Sequence, residues 1–192
     1  MDTGLYTEYE LKRIGFKSIG VGVMIARSVK LFGVEKIEIG DNVRIDEFCI
    51  LSGKIKIGNH IHLAPAVMLF GGDDGIVIDD FCGISSRTAL YTTSDDFSGE
   101  FLTNPNIPDE YRRVTGGNIV LERFVSIGTG CTIMKSSMLC EGSAFGSMSF
   151  ISGYYEPWGI YAGIPCRKIK DRKKNMVNLA EIFLQQSNGV ER

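Results

Sequence analysis

A chain of 192 residues with 44% hydrophobic and 23% charged residues has the composition of one globular domain with a real core, which excludes disorder. Its net charge of −2, with Lys and Arg sparse until the last thirty residues, excludes the basic face that a nucleic-acid partner demands. No basic start leads into an apolar run and no stretch reaches the roughly 18 apolar residues of a membrane span, so the sequence reads as cytoplasmic.

The first predicted element lies in TEYELKRIG. Thr7 stands as N-cap, Glu10 comes three residues later and Gly15 sits just past the end, which together mark a capping box on a short helix. Residues 1–18 are read as a helical cap closing one end of the fold.

From residue 19 a period of six takes over. Ile19, Ile25 and Leu31 open it; Ile39, Ile45, Leu51, Ile57, Leu63 and Leu69 continue without a break; Ile78, Ile84 and Leu90 resume it. Leu121, Ile127, Ile133, Leu139, Phe145 and Ile151 complete it. Four residues after many anchors stands a second apolar or small residue: Val43, Cys49, Ile55, Ile61, Val67 and Val125. Six fits neither the 3.6 of a helix nor a plain alternation of two. It describes short strands joined by bends, which bury a face only by stacking turn upon turn. The predicted fold is therefore an all-β solenoid over residues 19–170, with Gly20, Gly40, Gly58, Gly128 and Gly146 supplying the backbone freedom of its corners. Five cysteines without a CxxC pair suggest neither zinc nor a redox motif; Cys49, Cys82 and Cys131 fall on inward positions and read as buried thiols.

Between Leu90 and Leu121 the phase is lost. Residues 92–117, with Pro105 and Pro108 and a closing Gly116–Gly117, read as a long protruding loop of the kind that serves a site. From Asp171 onward Met176, Leu179, Ile182 and Phe183 recur at helical spacing, so residues 171–192 are read as a terminal helix with Arg172, Lys173 and Lys174 on its solvated face.

The hexads, the segment YTTSDD (91–96), the segment SIGTGCTI (126–133) and the segment AGIPCRKIK (162–170) resemble the hexapeptide-repeat acyltransferases. The likeness is strongest to the galactoside and maltose O-acetyltransferases and to the N-acyltransferases of nucleotide-linked amino sugars. It implies a left-handed parallel β-helix assembled as a homotrimer, using acyl-coenzyme A and a small sugar acceptor, with no metal. In the O-acetyltransferases the segment like YTTSDD carries a histidine base; here the matching position is Asp95. The two histidines, His60 and His62, lie well before it, and the three-histidine metal site of the related γ-class carbonic anhydrases cannot be built from two.

A sugar hydroxyl needs a base to become nucleophilic, whereas an amine of pKa about 8 is already partly neutral at pH 7. The resemblance thus implies an amino-sugar acceptor of surface-polysaccharide biosynthesis. Asp95, with Glu100, would hold and orient the amine and receive its proton; Asp96 and Ser85, with Ser86, would contact the acceptor. The amide of Thr129 would stabilise the oxyanion. Backbone at Ser147 and Ser152 would meet the pantetheine arm, Pro165 the adenine, and Arg167 and Lys170 the phosphates of coenzyme A. The rival readings are an O-acetyltransferase using His60 or His62, and a non-catalytic binding solenoid.

Overall fold

The computed structural model describes residues 4–189; the first three residues of the expected N-terminal cap and the last three of the expected C-terminal helix lie outside them. The hexads wind the chain into a left-handed parallel β-helix of about seven coils, each with three faces. The first face stacks Ser18–Ile19, Ile37–Ile39, the last residues of Ile50–Ile57 and of Met68–Ile78, Ile119–Leu121, Ser137–Leu139 and Tyr154–Tyr155. The second stacks Met24–Ile25, Arg44–Ile45, His62–Leu63, Gly83–Ile84, Ser126–Ile127, Ala144–Phe145 and Gly159–Ala162. The third runs from Lys30–Phe32 through Ala89–Tyr91 and Thr132–Met134 to Phe150–Ile151. Every neighbouring pair within these faces is parallel.

Register is set by the period. Three hexads make one coil, so Ile39 pairs with Ile57, Ile45 with Leu63 and Leu51 with Leu69. From Ile25 to Ile151 the aliphatic anchors are 0–2% exposed, apart from the half-buried Leu31, and the second inward residues Val43, Cys49, Ile55, Ile61, Val67 and Val125 are equally buried. Each such side chain contributes about 1.5–3 kcal/mol of burial, which a two-residue strand cannot obtain alone. Ile19 and Leu31, in the terminal coil, have no coil beneath them and stay half-buried.

The corner glycines act differently from the expectation. Gly20, Gly40, Gly58, Gly128 and Gly146 are not in the left-handed region; they are required by close approach of the next coil. A Cβ on Gly40 would come within 2.6 Å of the Gly58 carbonyl oxygen, and one on Gly128 within 2.5 Å of the Ser147 nitrogen. The left-handed residue falls two positions later: Gly22, Asn42, His60, Phe81, Phe124, Gly142 and Trp158 have φ of 54–68°. That conformation costs a residue with a side chain about 1–2 kcal/mol. At this first corner the cost is offset by stacking of His60 on Phe81 (centroids 4.9 Å) and of Phe81 on Phe124 (5.3 Å), each pair contributing about 0.5–1.5 kcal/mol beyond burial.

All variation in coil length is confined to one edge. Anchors stay six apart across the first and second corners, whereas across the third corner Leu31 to Ile39 is eight, Leu69 to Ile78 is nine and Leu90 to Leu121 is thirty-one. The last of these is the protruding segment, and it is not a plain loop. Thr93–Asp95 and Val114–Gly116 form an antiparallel stem, and the Gly117 N–H donates to the Thr92 carbonyl at 2.9 Å where the excursion rejoins the solenoid.

The N-terminal helix forms as expected: α1, Glu8–Ile14, has the Thr7–Glu10 capping box and a left-handed Gly15, and it seats Leu11 in the core at 3% exposure. The C-terminal reading needs correction. Arg167–Asp171 is a strand, antiparallel to Gly159–Ala162, and helix α2 is Asn175–Gly189. Arg172 precedes that helix and is not a solvated charge. Its Nη1 donates to the carbonyls of Phe124 (2.8 Å), Gly142 (3.0 Å) and Ser143 (3.4 Å), and Nη2 to the Ser126 hydroxyl (3.0 Å). Helix α2 lies on its own first corner, where Met176, Val177 and Ala180 pack against Phe81, Phe124 and Trp158.

Candidate functional site

Two cavities flank the second corner of the fourth and fifth coils. One, of about 380 Å³, lies on the second face and is lined by His62, Ala64, Gly83, Ser85, Ser86, Ser126 and Thr129. The other, of about 550 Å³, opens on the third face under the hairpin stem. Asp95 lines it with Tyr91, Phe97, Arg112, Thr132 and Met134. The structure therefore brings Ser85 and Thr129 together and sets Asp95 on the adjoining face.

Thr129 lines the first cavity with its peptide held in place. Its hydroxyl donates to the Ser86 carbonyl at 2.6 Å and its carbonyl accepts from Met148 N–H at 2.9 Å, which fixes the peptide. Its own N–H donates to no group among the described residues. A fixed, unpaired amide at a cavity wall is the geometry that stabilises a developing oxyanion.

Asp95 is half-buried on the stem and its carboxylate accepts no hydrogen bond from the described residues. Asp96 differs: its carboxylate accepts from the Ser98 hydroxyl at 2.6 Å and the Ser98 N–H at 3.2 Å, and these bonds hold it below the usual carboxylate range. That is a local turn, so Asp96 is already engaged. Glu100 lies exposed in the protruding segment and lines neither cavity.

A column of small residues runs along the second corner: Ala64, Ser85–Ser86, Gly128–Thr129, Gly146–Ser147 and Ala162–Gly163. A Cβ on Gly146 would touch that of Ala162 at 3.0 Å, so the channel floor is already as tight as the stacking allows. Its C-terminal end meets the exposed Pro165 and the basic strand, where Arg167 pairs in register with Ala162 and Lys170 with Ile160. Neither cation pairs with a carboxylate among the described residues. Ser152 does not join the column; it lies at the third corner, with its N–H given to the Tyr155 hydroxyl at 3.2 Å.

The histidines separate cleanly. His60 is stacked on Phe81, with Phe183 of α2 edge-on at 5.2 Å, and is a packing residue of the first corner. His62 lines the Ser85–Thr129 cavity, its Nε2 lying 2.7 Å from Asp46 Oδ2. Burial acts to raise the Asp46 carboxyl, but the hydrogen bonds from His62 and Arg44 outweigh it and hold the group below its usual range. Arg44 and His62, eighteen residues apart, share one column of the second face, and Asp46, two residues after Arg44, reaches both.

All five cysteines are buried and unpaired. Burial pushes Cys49 up to about 11 and Cys82 to about 12, and raises Cys131 and Cys166. A thiolate nucleophile is thereby disfavoured. Native protein at pH 8 is expected to show no fast reaction with an aromatic disulfide reagent, and all five thiols after unfolding in guanidinium. A rapid native thiol would contradict this burial.

A solenoid with a small-residue corner, an unpaired amide beside it and a basic strand at its end defines a left-handed β-helix acyltransferase. No protein-family model matches the chain. It is 35% identical over 185 residues to the dTDP-4-amino-4,6-dideoxy-D-glucose acyltransferase of Escherichia coli, covering 95% of this chain and 96% of that one. It is 44% identical to AntD, an N-acyltransferase from Bacillus cereus solved in complex with dTDP and 3-hydroxybutyryl-CoA, with a TM-score of 0.94 over 96% of this chain and 98% of that one. Galactoside acetyltransferase in complex with coenzyme A shares the fold alone, at 19% identity and a TM-score of 0.58 over 86% of this chain and 70% of that one. The chain belongs to the family of N-acyltransferases that act on nucleotide-linked amino sugars.

Proposed function

We propose that this chain transfers an acyl group from an acyl-coenzyme A to the amine of a dTDP-linked amino sugar, without a covalent enzyme intermediate. The observation that carries the reading is the unpaired Thr129 amide set in a corner of small residues that ends at Arg167 and Lys170. Pantetheine runs along that corner past Ser147, and the two cations take the phosphates. The amine attacks the thioester carbonyl, whose oxygen gathers charge against the Thr129 N–H. Asp95 holds and orients the amine, and the Ser85 hydroxyl contacts the acceptor. AntD has been solved with substitutions at one serine and one aspartate ten positions apart, and Ser85 and Asp95 stand at the same interval.

Asp95 and Thr129 line different cavities of one chain, which favours a homotrimer in which each site is completed between two subunits. The place of action is the cytoplasm and the product a precursor of a surface polysaccharide.

The test is turnover of acyl-CoA with dTDP-linked amino sugars against the corresponding hydroxy sugars. Amide formation on the amines is expected; turnover on hydroxyls only would refute the reading. Arg167→Ala is expected to raise the KM for acyl-CoA about ten- to a hundredfold, the worth of a charge-assisted hydrogen bond, and to leave the KM for the sugar alone. An unchanged KM for acyl-CoA would remove Arg167 from the donor site.

A further inference from the structure

Asp46 is the only charged residue that is buried among the described residues, at 8% exposure. Its two oxygens are divided between one cation and one imidazole. Oδ1 accepts from Arg44 Nε at 2.7 Å, and Oδ2 lies 2.7 Å from His62 Nε2. With Nε2 committed to the carboxylate, a neutral ring carries its proton there and keeps a lone pair on Nδ1. The charged groups facing this ring are Asp46 and Arg44 of the preceding coil; the next coil presents Gly83 and Ser85, which carry none. His62 is half-exposed, and the cavity it lines is the one that holds Ser85 and the Thr129 amide. A buried carboxylate that orients an accessible imidazole beside an oxyanion donor is the arrangement of a general base.

We propose that His62, held by Asp46, accepts the proton that the acceptor nitrogen sheds during acyl transfer. The inference rests on the N-acyltransfer reading and deepens it. The lone pair of the neutral amine forms the C–N bond while the carbonyl π pair moves to oxygen against Thr129. The nitrogen is then cationic, and His62 Nδ1 removes one of its protons. The oxygen's electrons re-form the carbonyl, the C–S bond breaks and the thiolate of coenzyme A leaves with that electron pair. It takes the proton from the imidazolium, which returns the ring to its neutral state. Amine and thioester thus become amide and thiol with no other reactant. Asp95 keeps the orienting part.

The experiment is the pH profile of kcat/KM for the amino sugar in wild type, His62→Gln and Asp46→Asn, with circular dichroism and acyl-CoA binding to confirm that each variant is folded. Wild type is expected to show two ionisations on the acid side, one from the acceptor ammonium and one from the imidazole, giving a limiting slope of about two. His62→Gln is expected to lose about a hundredfold in kcat with the slope reduced to about one. Asp46→Asn is expected to lower kcat by about tenfold or more, because the ring loses the carboxylate that fixes its tautomer and orientation. A folded His62→Gln enzyme with kcat within about threefold of wild type and an unaltered profile would overturn the assignment while leaving N-acyltransfer intact. Wild type inactive on every amino sugar would overturn the N-acyltransfer reading itself, and the assignment with it.

Discussion

Asp95→Ala is expected to lower kcat for the amino sugar by about a hundred- to a thousandfold while leaving the KM for acyl-CoA within about twofold of wild type. The asymmetry comes from where the residue stands. Asp95 lies on the antiparallel stem of the protruding segment, half-buried in a cavity on the third face, while the small-residue column, where we propose that the donor lies, runs along the second corner. Its carboxylate has no protein partner to satisfy among the described residues, so alanine leaves nothing stranded and the fold should persist. Asp96→Ala is the control. Its carboxylate is spent on Ser98, and losing a surface turn of this kind should change kcat only a few-fold. Steady-state kinetics on both variants decides the matter: equal losses would mean that the segment acts through its conformation and not through the Asp95 carboxylate.

Arg172→Met is expected to cost about 3 kcal/mol of stability, lowering the apparent Tm by about 6–12 °C. The guanidinium serves four acceptors, three of them backbone carbonyls at the first corner of the fifth and sixth coils; those of Phe124 and Gly142 have no other donor among the described residues, whereas that of Ser143 also accepts from the Ser126 N–H. Methionine replaces the packing of the stem and removes every donor, so the penalty is that of partly buried carbonyls left unpaired. Burial also pulls the guanidinium below its ordinary value, though far too little to discharge it near neutrality. Differential scanning calorimetry measures the change; a shift under about 2 °C would mean that water replaces the guanidinium at no cost.

The period of six announced the coils and the buried anchors with their second inward positions, because inward and outward positions in a stacked coil are a matter of counting; buried residues off those positions, such as Ile37, Ile76 and Ile119, it did not. What counting could not reach were contacts between residues many hexads apart. Arg172 looked like one more charge ahead of an amphipathic helix, yet it reaches back 48 positions to the Phe124 carbonyl. The corner glycines were seen but misread: tightness between coils and left-handed backbone are separate demands, met two residues apart, and bulky residues such as Phe81 and Trp158 satisfy the second. The candidate site was named from motifs at Asp95, Thr129 and Arg167, and the structure sets Thr129 beside Ser85, Asp95 on the adjoining face and Arg167 on the basic strand. It was obscure at His62, whose partner Asp46 lies 16 positions earlier with no local pattern to link them.

The confinement of every length change to the third corner makes that edge the molecule's only hem where cloth can be let out. At the other two edges the anchors stay six apart in every coil, and one residue added within a strand there would carry its inward side chains to the outer face. At the third corner the longest excursion, 92–117, leaves and rejoins through the Thr92–Gly117 clasp, and the strands on either side keep their register. The segment that lines the Asp95 cavity can therefore change in length while the small-residue column along the second corner keeps its stacking.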